Sequence, residues 1–208
     1  MTTKAANALY RYFETLYNLN QGLITLCGID IIDNSSLYEK YIEDVIHMVP
    51  RLVPYVFNRI TDKYVIEAND GLLEYLEEIP FLLEAYNSLL SDHYEFLTKT
   101  KKVRNKLEHK MHGANIVASG SGSMTLFNAT FEVGDDFFDF EAAEIINFVK
   151  DINVMFSKIQ DSVDRFSFSK GKGDHPYYHR LIRYRFSDFN KIYDSSLLRT
   201  FGRALLPF

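Results

Sequence analysis

Cysteine is almost absent from this chain. The 208 residues include one cysteine, Cys27, and no tryptophan. A single thiol cannot form a disulfide within the chain, so a disulfide framework is excluded and a cysteine-based zinc site is disfavoured. Phenylalanine and tyrosine are plentiful instead, with 17 and 14 residues. Their number predicts an aromatic-rich core.

Long apolar runs are also missing. No stretch approaches the ~20 apolar residues of a membrane-spanning helix, and the first twenty residues lack the continuous apolar segment of a secretory signal. We therefore expect a cytoplasmic protein with no membrane partner. The length and the hydrophobic content of 47% are typical of one globular domain and argue against disorder.

Positive charge is scarce overall but concentrated in two segments. The net charge of the chain is −5. Residues 99–113 nevertheless carry six Lys or Arg against one Glu, and residues 161–208 carry nine against five Asp. Such patches can hold an anion locally even in an acidic chain, although a solvated helix face gives the same pattern.

Apolar spacing of three and four residues predicts helices along most of the sequence. We expect helices over 5–26, 36–48 and 71–78, and a short or broken helix over 51–66. Asn34-Ser35-Ser36 offers N-cap chemistry for the second helix, and Pro50 ends it. The longest predicted helix starts at Pro80 and ends at Gly113, with a seam formed by Leu82, Tyr86, Leu89, His93, Phe96, Thr100, Val103, Leu107 and Met111. A further helix is predicted at about 140–168, capped by Asp139.

Residues 116–134 have a different character. They contain glycines and a partial alternation of apolar and polar residues, which predicts a flexible loop leading into a β-hairpin or ribbon. We expect an all-α fold, an up-and-down helical bundle with this small β insertion, over residues 1–168. Residues 169–208 are predicted to form a C-terminal helical extension packed on the bundle, within a single domain.

The basic segment 99–113 contains the strongest candidate for chemistry. Arg104 can bind a phosphate with its planar guanidinium, and His109 can move a proton near neutral pH. With Val103 and Leu107 towards the core, Arg104, Asn105 and His109 are expected on the opposite face. Arg104 and His109 are ~140° apart around a helix, so one helix cannot easily focus both on one atom. A site therefore requires local unwinding or a second copy of the segment.

The sequence Arg104-Asn105-Lys106-Leu107-Glu108-His109 resembles the motif of the HEPN superfamily, in which an Arg and a polar residue, commonly Asn, precede a His. The similarity in helical layout covers residues 1–168, and the motif covers six residues. It implies a dimeric helical bundle and a metal-independent endoribonuclease with a composite site at the dimer interface. In that site His109 would be the general base or acid, Arg104 would hold the scissile phosphate, and Asn105 would orient His109 or the substrate. A phage-defence or toxin–antitoxin role follows from the same resemblance, although Met111 replaces the tyrosine of one toxin subgroup.

Further cations are candidate substrate contacts around this motif. Those near it are Lys101, Lys102, Lys106 and His112. In the tail, Arg180 and Arg183 interleave with aromatic residues, a composition that suits single-stranded RNA. The alternative is that these aromatics pack on the bundle and the arginines pair with its acids. The expected partners are RNA, a second copy of the chain, and an antitoxin or regulatory protein, with no DNA.

Two other functions stay open, and with them whether the protein is an enzyme at all. A non-catalytic dimerisation or ligand-binding module could keep the same fold. A metal-dependent bundle enzyme could use histidines such as His109 and His112, or the carboxylate and histidine of Asp44 and His47. A di-metal bundle needs two such helical motifs, and the sequence has no second one, so we expect no metal and no cofactor. His47 and His93 are then predicted to be core or boundary histidines.

Overall fold

A computed structural model of the protein describes residues 3–26, 29–53, 70–109, 115–120 and 127–169. The described part is mostly helical and carries a small antiparallel sheet, as predicted. The helices are α1 Thr3–Leu26, α2 Ser35–Met48, α3 Asp70–Glu77, α4 Pro80–Asp92, α5 Tyr94–His109 and α6 Ala142–Ser169, with a 3-10 turn at Val49–Leu52. The strands are β1 Asn115–Gly120, β2 Phe127–Val133 and β3 Asp136–Glu141.

Helix α1 lies at the centre of the core, where it packs against α2, α3 and α6. Its seam residues Leu9 and Leu16 are fully buried. The Phe13 ring meets the Phe156 ring of α6 edge-on, with 4.7 Å between the centroids. The predicted aromatic core is confirmed, since the largest fully buried side chains include Tyr12, Tyr38, Tyr75, Tyr86, Phe131, Phe140, Phe148 and Phe156.

A buried amide pair fixes α1 against α6. Asn20 Nδ2 donates to Asn153 Oδ1 at 3.0 Å, and Asn153 Nδ2 returns a hydrogen bond to Asn20 Oδ1 at 2.9 Å. Each amide also donates to the carbonyl one turn earlier in its own helix, Leu16 O and Val149 O. Because both amides are satisfied, the pair sets the relative position of the two helices without leaving a buried polar atom unpaired.

The prediction of one uninterrupted helix from Pro80 to Gly113 is wrong. The helix breaks at His93, whose backbone angles are φ −108° and ψ 20°, so α4 ends at Asp92 and α5 starts at Tyr94. His93 Nε2 lies 2.8 Å from Asp151 Oδ2 on α6. The imidazole therefore binds a carboxylate instead of filling an apolar seam, which confirms the expectation of a boundary histidine. Met111 and Gly113 lie outside the described residues.

Helix α5 runs antiparallel to α6. His93 precedes it and contacts Phe148 and Asp151, whereas Lys99, further along α5, contacts Glu144, which is earlier in α6. The second half of α5 continues past the start of α6 and packs on β2. The basic segment thus lies beside the sheet.

The start of α2 differs from the prediction. Asn34 makes no side-chain cap of the helix; its amide donates instead to Asp30 O at 3.0 Å. The prediction that the helix stops at Pro50 agrees with the structure. Helix α2 ends at Met48, and the chain continues through Pro50 as the 3-10 turn Val49–Leu52. Of the predicted helix over 51–66, only residues 51–53 are described.

The β insertion is a three-stranded meander of order β1-β2-β3, larger than the predicted hairpin. Val133 pairs with Asp136 across a two-residue turn, where Gly134 adopts φ 68°. Glycine takes this conformation without the steric cost of a Cβ atom, as tight hairpin turns require. Asp139, expected to cap a helix, lies in β3 and accepts a hydrogen bond from Thr130 Oγ1 at 2.7 Å. None of the helices in the described ranges combines the length and apolar character needed to span a membrane.

Candidate functional site

Arg104 is buried rather than exposed on the face opposite the core. Only 7% of the residue is accessible. Its Nε lies 3.6 Å from Glu108 Oε1, and one of its terminal nitrogens donates to Asn105 Oδ1 at 3.4 Å. The expectation of an outward-facing Arg104 is wrong because α5 packs on several neighbours at once. It contacts α2 and the 3-10 turn as well as β2. More of the helix circumference is therefore buried than the apolar residues around Val103 predict.

Lys99 and Lys106 attach α5 to the sheet and to α6. Lys99 Nζ donates to both carboxylate oxygens of Glu144, at 2.8 and 2.6 Å, and to Asp139 O at 2.6 Å. Lys106 Nζ pairs with Asp136 Oδ2 and lies 5.3 Å from the ring centroid of Phe138. A phosphate bound by Lys106 would have to compete with Asp136.

The basic segment divides into three rows along α5. At ~100° per residue, Lys99 and Lys106 form one row, which faces β3 and α6. Lys101 and Arg104 lie on a second side together with Glu108; Lys101 is 6% accessible. The third row contains positions 102, 105 and 109. Lys102 is exposed and Asn105 is half-buried, so this row presents polar groups to solvent next to the motif.

His109 is the last residue of α5, and its side chain lies outside the described part. The same holds for His112, for Arg180 and Arg183, and for the extension predicted at 169–208 beyond Ser169. The structure therefore brings Arg104 and Asn105 together and places position 109 about one turn from Asn105 on the same helix.

Sequence reasoning did not anticipate a cleft at the α4–α5 break. It measures about 600 Å³ and lies between this break and α6. Its lining residues are Ser91, Asp92, His93, Tyr94, Glu95, Phe96, Glu144 and Asn147. The signal available in the sequence was His93 itself, an imidazole within a mostly apolar seam.

Three tyrosines of the described residues have strongly perturbed acidity, and all belong to the core. Burial raises the pKa of Tyr75 to about 12. Burial also raises the pKa of Tyr12, whose hydroxyl donates to Ile152 O of α6, and of Tyr86, whose hydroxyl donates to Leu52 O of the 3-10 turn. Because these hydroxyls stay protonated far above neutral pH and are buried, none is suited to proton transfer with a substrate.

The metal-enzyme alternative has little support in the described part of the chain. Within it, no group of three or more His, Cys, Asp or Glu side chains is arranged to hold a metal ion. Asp44 and His47 both lie on α2, and both are half-buried. Two residues of this kind do not complete a metal site.

Comparison with known proteins identifies no relative of this chain. No protein-family model, curated protein or solved structure matches it. Its resemblance to the HEPN superfamily therefore depends on residues 104–109 and on the helical layout.

Proposed function

We propose that the protein is a metal-independent endoribonuclease of HEPN type, with an active site shared by two copies of the chain. The observation that carries this proposal is the position of Arg104-Asn105-x3-His109 in the last two turns of α5, where Arg104 and Asn105 are hydrogen-bonded. The antiparallel course of α4–α5 and α6 fits the up-and-down bundle that this assignment requires. RNA as substrate, an antitoxin or regulatory partner, and a toxin or phage-defence role belong to the same proposal.

The reaction needs no metal. His109 removes the proton of a ribose 2′-hydroxyl, and the 2′-oxygen attacks the adjacent phosphorus. The P–O5′ bond then breaks, and the leaving oxygen takes a proton from an acid, for which the second copy of His109 is available. The products are a 2′,3′-cyclic phosphate and a 5′-hydroxyl. Arg104 stabilises the negative charge that develops on the phosphate oxygens, and Asn105 orients His109 or the substrate.

The burial of Arg104 sets a condition on this mechanism. The guanidinium must exchange Glu108 for a phosphate, because one carboxylate and one phosphate compete for the same planar donors. Glu108 is half exposed, so its side chain has room to move away. Dimerisation or RNA binding at the end of α5 must therefore expose Arg104 for catalysis to occur.

The test is cleavage of RNA in EDTA by the wild type, by His109→Gln and by the control variant His47→Gln. Removing a general acid–base group costs roughly 10²–10⁴-fold in rate, so we expect a loss of this size for His109→Gln alone. Cleavage that needs a divalent metal, or equal rates for the three proteins, would overturn the proposal.

A non-catalytic dimerising or ligand-binding module is the second candidate, and a specific observation favours it. The cations Lys99 and Lys106 pair with acids of β3 and α6, and Lys101 and Arg104 are more than nine-tenths buried. In this alternative the basic residues of α5 stabilise the fold, and the motif has no chemical role. A dimer that binds RNA without cleaving it in EDTA would select this candidate.

A further inference from the structure

Strand β3 is an edge of the sheet, and the pairing register fixes which of its backbone groups point outward. Val133 and Asp136 flank the two-residue turn between β2 and β3, so they form a hydrogen-bonded pair. Such pairs alternate with non-hydrogen-bonded pairs along an antiparallel ladder. The backbone N–H and C=O groups of Phe137, Asp139 and Glu141 therefore point away from β2.

Side chains of two helices occupy these outward groups. Lys99 Nζ of α5 donates to Asp139 O at 2.6 Å, and Glu144 Oε2 of α6 accepts a hydrogen bond from Glu141 N at 3.2 Å. Lys99 and Glu144 also pair with each other, so each holds the other in place. The bond from Glu141 N is at the same time a capping bond at the start of α6, and it serves the helix and the strand edge together.

The opposite edge of the sheet, β1, shows the same arrangement. Ala129 of β2 is hydrogen-bonded to β3, so its partner on the other side, Ala118 of β1, directs its own backbone groups away from the sheet. Ala118 N donates to Glu39 Oε1 of α2 at 3.4 Å. In the described part of the chain, a charged helix side chain thus reaches an outward backbone group at both edges.

Strand β3 has the composition of a strand that pairs readily. Its residues 136–141 read Asp-Phe-Phe-Asp-Phe-Glu and include neither Pro nor Lys, the residues that commonly protect a sheet edge. Phenylalanine favours strands, and Phe137 is 65% exposed. Asp139 and Glu141 oppose pairing with another acidic strand, but salt screens the repulsion between exposed charges. Covering the backbone groups is therefore the more robust protection.

We propose that Lys99 and Glu144 block the edge of β3 and thereby prevent its antiparallel pairing with β3 of a second copy of the chain. In such a pair, each residue with outward groups exchanges two hydrogen bonds with the residue opposite. Lys99 occupies the carbonyl of Asp139 and Glu144 occupies the N–H of Glu141, so neither residue can complete both bonds. Two copies that share the motif of α5 must then meet through a surface other than the edge of β3.

The experiment measures the molar mass of the full chain by size-exclusion chromatography with light scattering over a range of protein concentrations. The variant Lys99→Met/Glu144→Ala removes both blocking groups without changing the net charge. We expect its molar mass to at least double relative to wild type as the concentration rises, and to increase further with added NaCl. The matched control Lys102→Met/Glu95→Ala changes the same residue types at exposed positions of α5 and is expected to keep the wild-type mass.

Phe137→Pro distinguishes strand pairing from association that follows partial unfolding. A proline at this position removes an N–H that points away from β2, so the pairing of β2 with β3 is kept. Added to Lys99→Met/Glu144→Ala, it is expected to restore the wild-type mass; alone, it should leave that mass unchanged. If Lys99→Met/Glu144→Ala keeps the wild-type mass, or if Phe137→Pro does not reverse its association, the proposal is wrong. These outcomes do not depend on RNA cleavage, so they leave the nuclease proposal to its own test.

Discussion

The two ends of α5 differ in charge: acids surround its start, and bases its end. At its start, His93 pairs with Asp151 beside Asp92 and Glu95, in a cleft whose described lining includes no Lys or Arg. At its end, cations dominate, and His109 closes the helix. Acids at the beginning and bases at the end of a helix are favoured by its dipole, so part of this contrast needs no functional explanation. What needs one is the pair of specific contacts, His93 with Asp151 and Arg104 with Asn105.

The largest expected effect comes from removing the buried aromatic ring that packs at the start of α5. Phe148 is fully buried on α6, where its ring contacts His93 and Phe96. We expect Phe148→Ala to lower the free energy of unfolding by about 3–5 kcal/mol, because it removes a buried aromatic ring and leaves a cavity. Urea titration measures this. Val154→Ala on the same helix, where Val154 is 44% exposed, should cost far less, and equal losses would contradict the packing described for the break.

A smaller loss is expected where the basic half of α5 meets the sheet. Lys99→Met removes the partner of Glu144 and the donor to Asp139 O. We expect it to destabilise the protein by about 1–2 kcal/mol, since a partly buried carboxylate and a carbonyl lose their charged partner. Lys102→Met, at an exposed position of the same helix, is the control. If the two variants unfold at the same urea concentration, Lys99 does not attach α5 to α6.

The smallest effect concerns the ion pair of Arg104. Glu108→Gln removes the carboxylate that competes with a phosphate for the guanidinium. An i,i+4 ion pair of this exposure contributes at most about 1 kcal/mol, so we expect RNA cleavage or RNA affinity to rise about two- to fivefold. Glu43→Gln, an exposed acid on α2, serves as the control. If Glu108→Gln lowers RNA cleavage or RNA affinity, Glu108 does not compete with the phosphate but holds Arg104 in position to bind it.

Apolar spacing was sufficient to predict the helical fold, because each helix buries one face. The burial of Leu9, Leu16 and Val103 follows directly from that periodicity. The break at His93 could not be predicted from spacing, and the contact that His93 makes there is with Asp151, 58 residues away, which no local pattern reveals. The third strand could have been found: Phe138 and Phe140 alternate with Asp139 and Glu141, and Gly134-Asp135 is a tight-turn dipeptide.

The site was harder to predict than the fold. Helical geometry puts positions 104 and 109 on different sides of α5, but the prediction placed Arg104 outside because only the apolar residues were counted as buried. Lys101 and Arg104 are buried by neighbouring elements that no local pattern reveals. Likewise, Lys106 pairs with Asp136 at the start of β3, a strand that was not predicted from the sequence.

The most direct test of the proposed chemistry at the basic end of α5 is the identity of the RNA ends. Wild-type protein is incubated with a short single-stranded RNA in EDTA, and the products are analysed by mass spectrometry. Attack by the 2′-hydroxyl predicts fragments with a 2′,3′-cyclic phosphate and a 5′-hydroxyl, and no cleavage where that ribose is replaced by 2′-deoxyribose. Uncut RNA, or fragments with a 3′-hydroxyl and a 5′-phosphate, would contradict the account.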